Sequence, residues 1–230
     1  MKRWHVLVPV KGTTQAKTRL GDAFGSHRPR LALAFARDTV AAAMSCGLVA
    51  DITVTTGDPA AAAAFEETGV QVFDDGAAVG LNAAISVALR HQSPLWDADR
   101  VAVLLGDLPA LRPAALERAL VLAEPHDLSF VPDDKGSGTT LLCGRRVGAL
   151  RPFFGVGSAA AHETAGAVRL QDSRLKTLRH DVDDVDDLLL AMRLGVGEHT
   201  GELLSEISWS APHPAPLVGA ALALEHISGW

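Results

Sequence analysis

Short apolar, β-branched runs recur through the first part of the chain: WHVLVPV at 4–10, DITVTT at 51–56, VQVF at 70–73, VAVLLG at 101–106 and LSFV at 128–131. They are near-continuous, without regular polar alternation, which marks strands covered on both faces. Alanine- and leucine-rich segments lie between them, at about 29–46, 59–68, 81–92 and 113–123. Pro29, Pro59 and Pro113 each stand where a first helical turn would begin, and Gly47 and Gly69 where helices would stop. The alternation predicts an α/β fold: a mostly parallel central sheet, right-handed crossovers and helices on both faces.

After residue 130 the pattern changes. PDDKGSGTT reads as a loop and LLC (141–143) as a short strand. AVRL (167–170) and TLRHDV (177–182) read as strands, and DVDDLLLAMRLG as a final helix. This is α+β material packed back on the first half. No long linker and no internal repeat separates the two, so residues 1–204 are expected to form one domain. From 205 the sequence loses periodicity, and 205–230 reads as an irregular tail outside the functional argument.

Composition narrows the class. Of 230 residues 48% are hydrophobic and 21% charged, an ordinary soluble balance. The net charge of -6 gives no basic footprint for nucleic acid, so an anion must be held by a local cation cluster. Two cysteines, Cys46 and Cys143, cannot make a disulfide framework, and no Cys/His spacing reads as zinc. The apolar run at the N-terminus is too short for a signal peptide, and no segment approaches the roughly 20 apolar residues of a membrane span. A cytoplasmic protein is expected, as monomer or homodimer, with no membrane or nucleic-acid partner.

In open α/β sheets ligands bind outside the carboxyl ends of the strands. That rule selects Lys11, Lys17 and Arg19 after the first strand, Asp74 and Asp75 after the third, and Asp107 after the fourth. Cations and carboxylates on one rim suit a polyphosphate with Mg²⁺. The stretch HDVDDVDDL holds five aspartates between 181 and 187. On an extended segment Asp181 and Asp183 face the same side, while Asp184, Asp186 and Asp187 are placed to cap the next helix. The plainer readings are a solvated cationic loop, an Asx-turn at Asp107 and a solvated helix start. Residues 155–160 (GVGSAA) match G-x-G-x-x-A without the strand and acid that a dinucleotide site needs, and read better as an anion-receiving loop with Ser158. No P-loop, G-x-S-x-G or H-E-x-x-H motif occurs, and the nine histidines show no paired spacing, so each is taken as structural or surface.

Six motifs in order, VPVKGTTQAKTRL, GLNAAI, LLGDLPAL, PDDKGSGTTLL, FGVGSAAAH and DVDDVDDL, resemble the phosphoenolpyruvate / 2-phospho-L-lactate guanylyltransferase family (CofC/FbiD) of deazaflavin coenzyme F-420 biosynthesis. The resemblance covers about residues 4–195. It implies a Rossmann-like nucleotidyltransferase fold and an enzyme that joins GTP to a small phosphorylated carboxylic acid with Mg²⁺. The acid's phosphate attacks the α-phosphorus, and pyrophosphate leaves. Carried onto this chain, Lys17 and Arg19, with Lys11 nearby, would contact the GTP phosphates, and Gly80, Leu81 and Asn82 the guanine and ribose. Asp107, Asp181 and Asp183 would ligate Mg²⁺. Thr139, Gly155 and Ser158 would receive the acceptor acid, phosphoenolpyruvate being favoured over 2-phospho-L-lactate and 3-phosphoglycerate. Lys135 stands where the family pattern has histidine. The alternatives are another nucleotidyltransferase of this fold, acting on a sugar phosphate or a molybdenum cofactor, and a non-catalytic nucleotide-binding module.

Overall fold

The computed structural model describes residues 4–10, 18–76, 78–96, 100–207 and 209. Lys11 and Lys17 therefore lie outside the described residues, as does the tail from 210 onward. Seven strands form one sheet: β1 (Trp4–Pro9), β2 (Val49–Thr55), β3 (Gln71–Phe73), β4 (Arg100–Leu104), β5 (Leu128–Pro132), β6 (Thr139–Gly144) and β7 (Val168–Arg169). The helices are α1 (Gly21–Phe24), α2 (Arg28–Met44), α3 (Pro59–Glu66), α4 (Leu81–Trp96), α5 (Pro113–Ala123), α6 (Ser158–Thr164), α7 (Lys176–Arg179), α8 (Val185–Leu194) and α9 (Glu198–Glu206). The strand order is β3-β2-β1-β4-β6-β5-β7. β1, β2, β3 and β4 are mutually parallel, β6 runs antiparallel between β4 and β5, and β7 is parallel to β5.

The continuous apolar strands have the reason expected of them: both faces are covered. Val6 and Val8 of β1 join the cluster under α2, α3 and α5, whereas Leu7 between them joins Ile85 and Leu89 of α4 on the other face. Each fully buried side chain of this size adds about 1.5–3 kcal/mol relative to exposure. A third cluster, with Leu31 and Phe35 of α2, Leu188 of α8 and Leu203 of α9, lies outside the sheet. It rests on a polar anchor: buried Asp38 accepts hydrogen bonds from the His199 and Thr200 N–H groups, at 2.9 and 3.0 Å, and so caps α9. Gly197 precedes this cap because a Cβ there would collide with the Asp38 carboxylate.

Pro29, Pro59 and Pro113 occupy the first turns of α2, α3 and α5, as their fixed φ allows. Two expectations change. The segment 177–182 is not a strand. Its start is the helical turn α7, with Leu175 and Leu178 buried, and its backbone bonds go to loops: Asp134 N–H donates to Arg179 O and Val182 N–H to Asp107 O. In 167–170 only Val168 and Arg169 enter the sheet. Helix α9 was not anticipated. It runs to Glu206, past the expected boundary at 204, and the Trp209 ring packs tilted against Phe24 at 5.1 Å.

Candidate active site

The chain leaves β1 toward β2 and β3 on one side and returns through α4 to β4 on the other. The order therefore reverses between β1 and β4, and a ligand crevice is expected beyond their carboxyl ends. The chain after β4 stays beside β1: a Cβ at Gly106 would stand 3.4 Å from the Pro9 carbonyl oxygen, in van der Waals contact. Asp107 follows directly, half-buried at this rim. Leu108 N–H, donating to the Thr39 hydroxyl of α2 at 3.1 Å, fixes the turn.

The 180–184 segment is tied to the same turn by the Val182 N–H bond to Asp107 O, 3.1 Å, while the Val182 side chain is buried in the third cluster. With Val182 anchored inward, Asp181 and Asp183 turn to the rim. Carboxylate oxygens of Asp107, Asp181 and Asp183 all lie within 4.8 Å of one another. Three hard oxygen donors, half-buried and drawn from two distant segments, fit a divalent cation such as Mg²⁺ or Mn²⁺. The neighbouring aspartates do other work. Asp184 caps α8 by accepting from Asp187 N–H at 3.0 Å, and Asp187 accepts from Asp183 N–H at 3.1 Å. Lys135 lies 3.7 Å from Asp187, and that carboxylate, then Asp181, Asp184 and Asp183, raises its pKa.

The aspartate-bearing segment packs against the β5–β6 hairpin, and the loop before α6 lies beside that hairpin. Asp133 folds into the hairpin turn, accepting from Ser137 N–H at 2.8 Å. Gly138 is needed there, because a Cβ would fall 2.6 Å from Asp133 Oδ2. Arg179 donates to the Asp133 carbonyl at 2.8 Å, and His180 Nδ1 lies 2.9 Å from Asp134, latching the aspartate-bearing segment to this hairpin. The loop into α6 turns through Gly155 and Gly157, both at positive φ (121° and 73°). It is joined to the hairpin where Ala159 N–H donates to Ser137 O at 3.0 Å.

Of the residues picked from the sequence, Asp107, Asp181 and Asp183 come together. Arg19 is exposed in a helical turn at 18–20. Gly80 (φ 92°) precedes α4, with Leu81 and Asn82 half-buried in its first turn. The Asn82 amide is engaged with Phe154: Nδ2 donates to its carbonyl at 2.9 Å, and Oδ1 accepts from its N–H at 2.8 Å. Thr139 begins β6 and is buried, its hydroxyl 2.9 Å from His162 Nδ1. Ser158 is buried with its hydroxyl lacking a hydrogen-bond partner among the described residues. Asp74 closes a turn onto Gly76 N–H at 2.8 Å, and the pKa of Asp75 is raised by burial and then by Asp74, against a lowering by Thr55.

Sequence reasoning passed over His162. It is fully buried in α6 among Phe130, Phe153 and Phe154, and burial holds its pKa down to about 4. The available signal was its spacing: four residues after Ser158, it lies on the same helix face as that hydroxyl.

A mostly parallel sheet with an acidic rim at its switch point defines a nucleotidyltransferase-like α/β protein. The structure is similar to one from Desulfovibrio desulfuricans named for nucleotide-diphospho-sugar transfer (TM-score 0.68, 20% identity, 90% of this chain and 96% of that one). It is also similar to a Mycobacterium tuberculosis protein solved in complex with manganese (TM-score 0.51, 20% identity, 84% and 99%). Residues 4–215 match the family model described as "Guanylyl transferase CofC like", and the chain belongs to that family. It is 43% identical over 213 residues to the phosphoenolpyruvate guanylyltransferase of Thermomonospora curvata, covering 91% of this chain and 92% of that one. To the protein of the same name from Streptomyces coelicolor it is 43% identical over 212 residues, covering 89% and 97%.

Proposed function

We propose that this guanylyltransferase transfers GMP from GTP to phosphoenolpyruvate, releasing pyrophosphate and enolpyruvyl-diphospho-5'-guanosine, with 2-phospho-L-lactate as the second candidate acceptor. The observation that carries the reading is the convergence of Asp107, Asp181 and Asp183 at the switch point of a sheet whose family transfers guanylyl groups. A phosphate oxygen of the acceptor forms the new bond to the α-phosphorus of GTP, and the bond from that phosphorus to the β-phosphate bridging oxygen breaks. The nucleophile is already anionic, so no general base is assigned. The residues have positioning and charge neutralisation to supply.

Arg19, Lys17 and Lys11 are assigned to the triphosphate, where an arginine can bind two oxygens at once and lysines act as point charges. Gly80, Leu81 and Asn82 are assigned to guanine and ribose, the Asn82 amide also tying this turn to the loop at Phe154. Thr139, Gly155 and Ser158 are assigned to the phosphate and carboxylate of the acceptor. Asp107, Asp181 and Asp183 would hold Mg²⁺, whose charge, when bound, offsets that of the phosphates. Among the described residues no helix is long and apolar enough to cross a membrane, and the cytoplasm is the proposed setting.

The test is a panel of phosphoenolpyruvate, 2-phospho-L-lactate, 3-phosphoglycerate and a sugar 1-phosphate. Each is mixed with enzyme, GTP and Mg²⁺, with pyrophosphate measured and products weighed by mass spectrometry. Pyrophosphate release with phosphoenolpyruvate and the mass of its guanosine diphosphate ester is expected. Release only with the sugar phosphate, or with none of the four, overturns the reading.

A further inference from the structure

Two polar side chains grip the loop before α6 from the two elements beside it. Asn82 of α4 pairs with both backbone groups of Phe154, as a neighbouring strand would. His162 of α6 accepts from the Phe153 N–H at Nε2, 3.1 Å. A backbone N–H can only donate, so Nε2 must present its lone pair, and in the neutral ring the proton then belongs to Nδ1. That nitrogen faces Thr139 Oγ1 at 2.9 Å, so the contact has one polarity: Nδ1–H donates and the threonine oxygen accepts. The hydroxyl keeps its own hydrogen, and no acceptor among the described residues takes it.

This polarity matters if Thr139 meets an anion. A hydroxyl that gives its hydrogen to an internal acceptor turns lone pairs toward the site, which a phosphate or carboxylate oxygen repels. A hydroxyl that receives a hydrogen bond from behind is left as a donor outward, and the bond behind it polarises it in the favourable sense. We propose that His162, held as the neutral Nδ1–H tautomer, is a positioning residue that sets Thr139 as a hydrogen-bond donor to the anionic acceptor and fixes the loop at Phe153. This rests on the reading that Thr139 contacts the acceptor acid. Burial among three phenylalanine rings, which keeps the imidazole pKa near 4, is consistent with a neutral ring.

The tautomer is read directly by ¹⁵N NMR of the full chain labelled at histidine: a protonated Nδ1 and a bare Nε2 are expected for His162, and the reverse overturns the proposal. Kinetics read the coupling. Thr139→Val and His162→Leu are each expected to raise KM for phosphoenolpyruvate about tenfold, the scale of one hydrogen bond to a charged group, with KM for GTP unchanged. His162→Asn keeps an N–H near the Nδ1 position and is expected to recover most of that loss. The double variant Thr139→Val/His162→Leu is expected to raise that KM by clearly less than the product of the two single effects, and a full product overturns the coupling. A raised KM in Thr139→Val beside a normal one in His162→Leu overturns the role of His162 while leaving Thr139 at the acceptor. An unchanged KM in Thr139→Val removes Thr139 from the acceptor site and the inference with it. Should His162→Leu fail to fold, His162→Asn and the NMR tautomer decide, a tenfold loss in His162→Asn counting against the proposal.

Discussion

Strands β1–β4 and strands β5–β7 share one sheet, but different chemistry holds them. In the first half the order comes from long apolar elements: β1 and β2 have 6 and 7 residues and α2 and α4 have 17 and 16. Their side chains pack on both faces of a parallel sheet. In the second half β7 has 2 residues, α6 has 7 and α7 has 4. Such short pieces bury little by themselves and are located by polar bridges across the sequence. Arg179 grips the hairpin at Pro132 and Asp133, Asn82 grips Phe154, and His162 joins Thr139 to Phe153. A hydrogen bond fixes direction and distance where an apolar contact fixes only proximity. The short elements beside the proposed acceptor loops are thus oriented by polar geometry in addition to the burial that β5 and β6 share with the first half.

The largest expected effect breaks the site where the halves meet. Asp107→Ala should slow pyrophosphate release by on the order of 10³-fold or more, several kcal/mol of lost charge stabilisation, with a melting temperature close to that of the parent. Near-parent turnover would remove Asp107 from the metal site. Next comes Leu7→Ala in β1, buried between the sheet and α4. It should lower stability by about 3–4 kcal/mol in urea unfolding while KM for both substrates stays put. A loss below 1 kcal/mol would show that burial does not hold the first half as described.

The third sharpens the contrast through pH. Burial pushes the His162 imidazole down to about 4, from an ordinary value near 6.5. The unfolded chain then binds a proton that the folded one refuses. The stability due to the neutral ring is complete above pH 6.5 and declines as pH falls from there toward 4, by up to about 3 kcal/mol. Unfolding measured from pH 7 to pH 4 should show this acid slope, flattened in His162→Asn. Equal slopes in the two proteins would take His162 out of the acid limb.

The elements that need no partner to be recognised were determined by the sequence alone. Continuous apolar runs gave β1–β5, and alanine-rich segments gave α2–α5, three of them (α2, α3 and α5) with proline at the first turn, because periodicity and φ restriction act within a few residues. Residues Asp181 and Asp183 were legible as a pair for the same local reason: two positions apart on extended chain, they point one way. What joins Asp107 to them was decided by the tertiary structure. A buried Val182 side chain and one backbone hydrogen bond across 75 positions set that distance, and no local pattern encodes either. The segment 177–182 misled for the same reason, since its backbone partners lie in loops rather than in a neighbouring strand. His162 was the least legible. A lone histidine in an alanine run gains meaning only when folding places Phe153 N–H on one ring nitrogen and the Thr139 hydroxyl on the other, and so fixes where its proton sits.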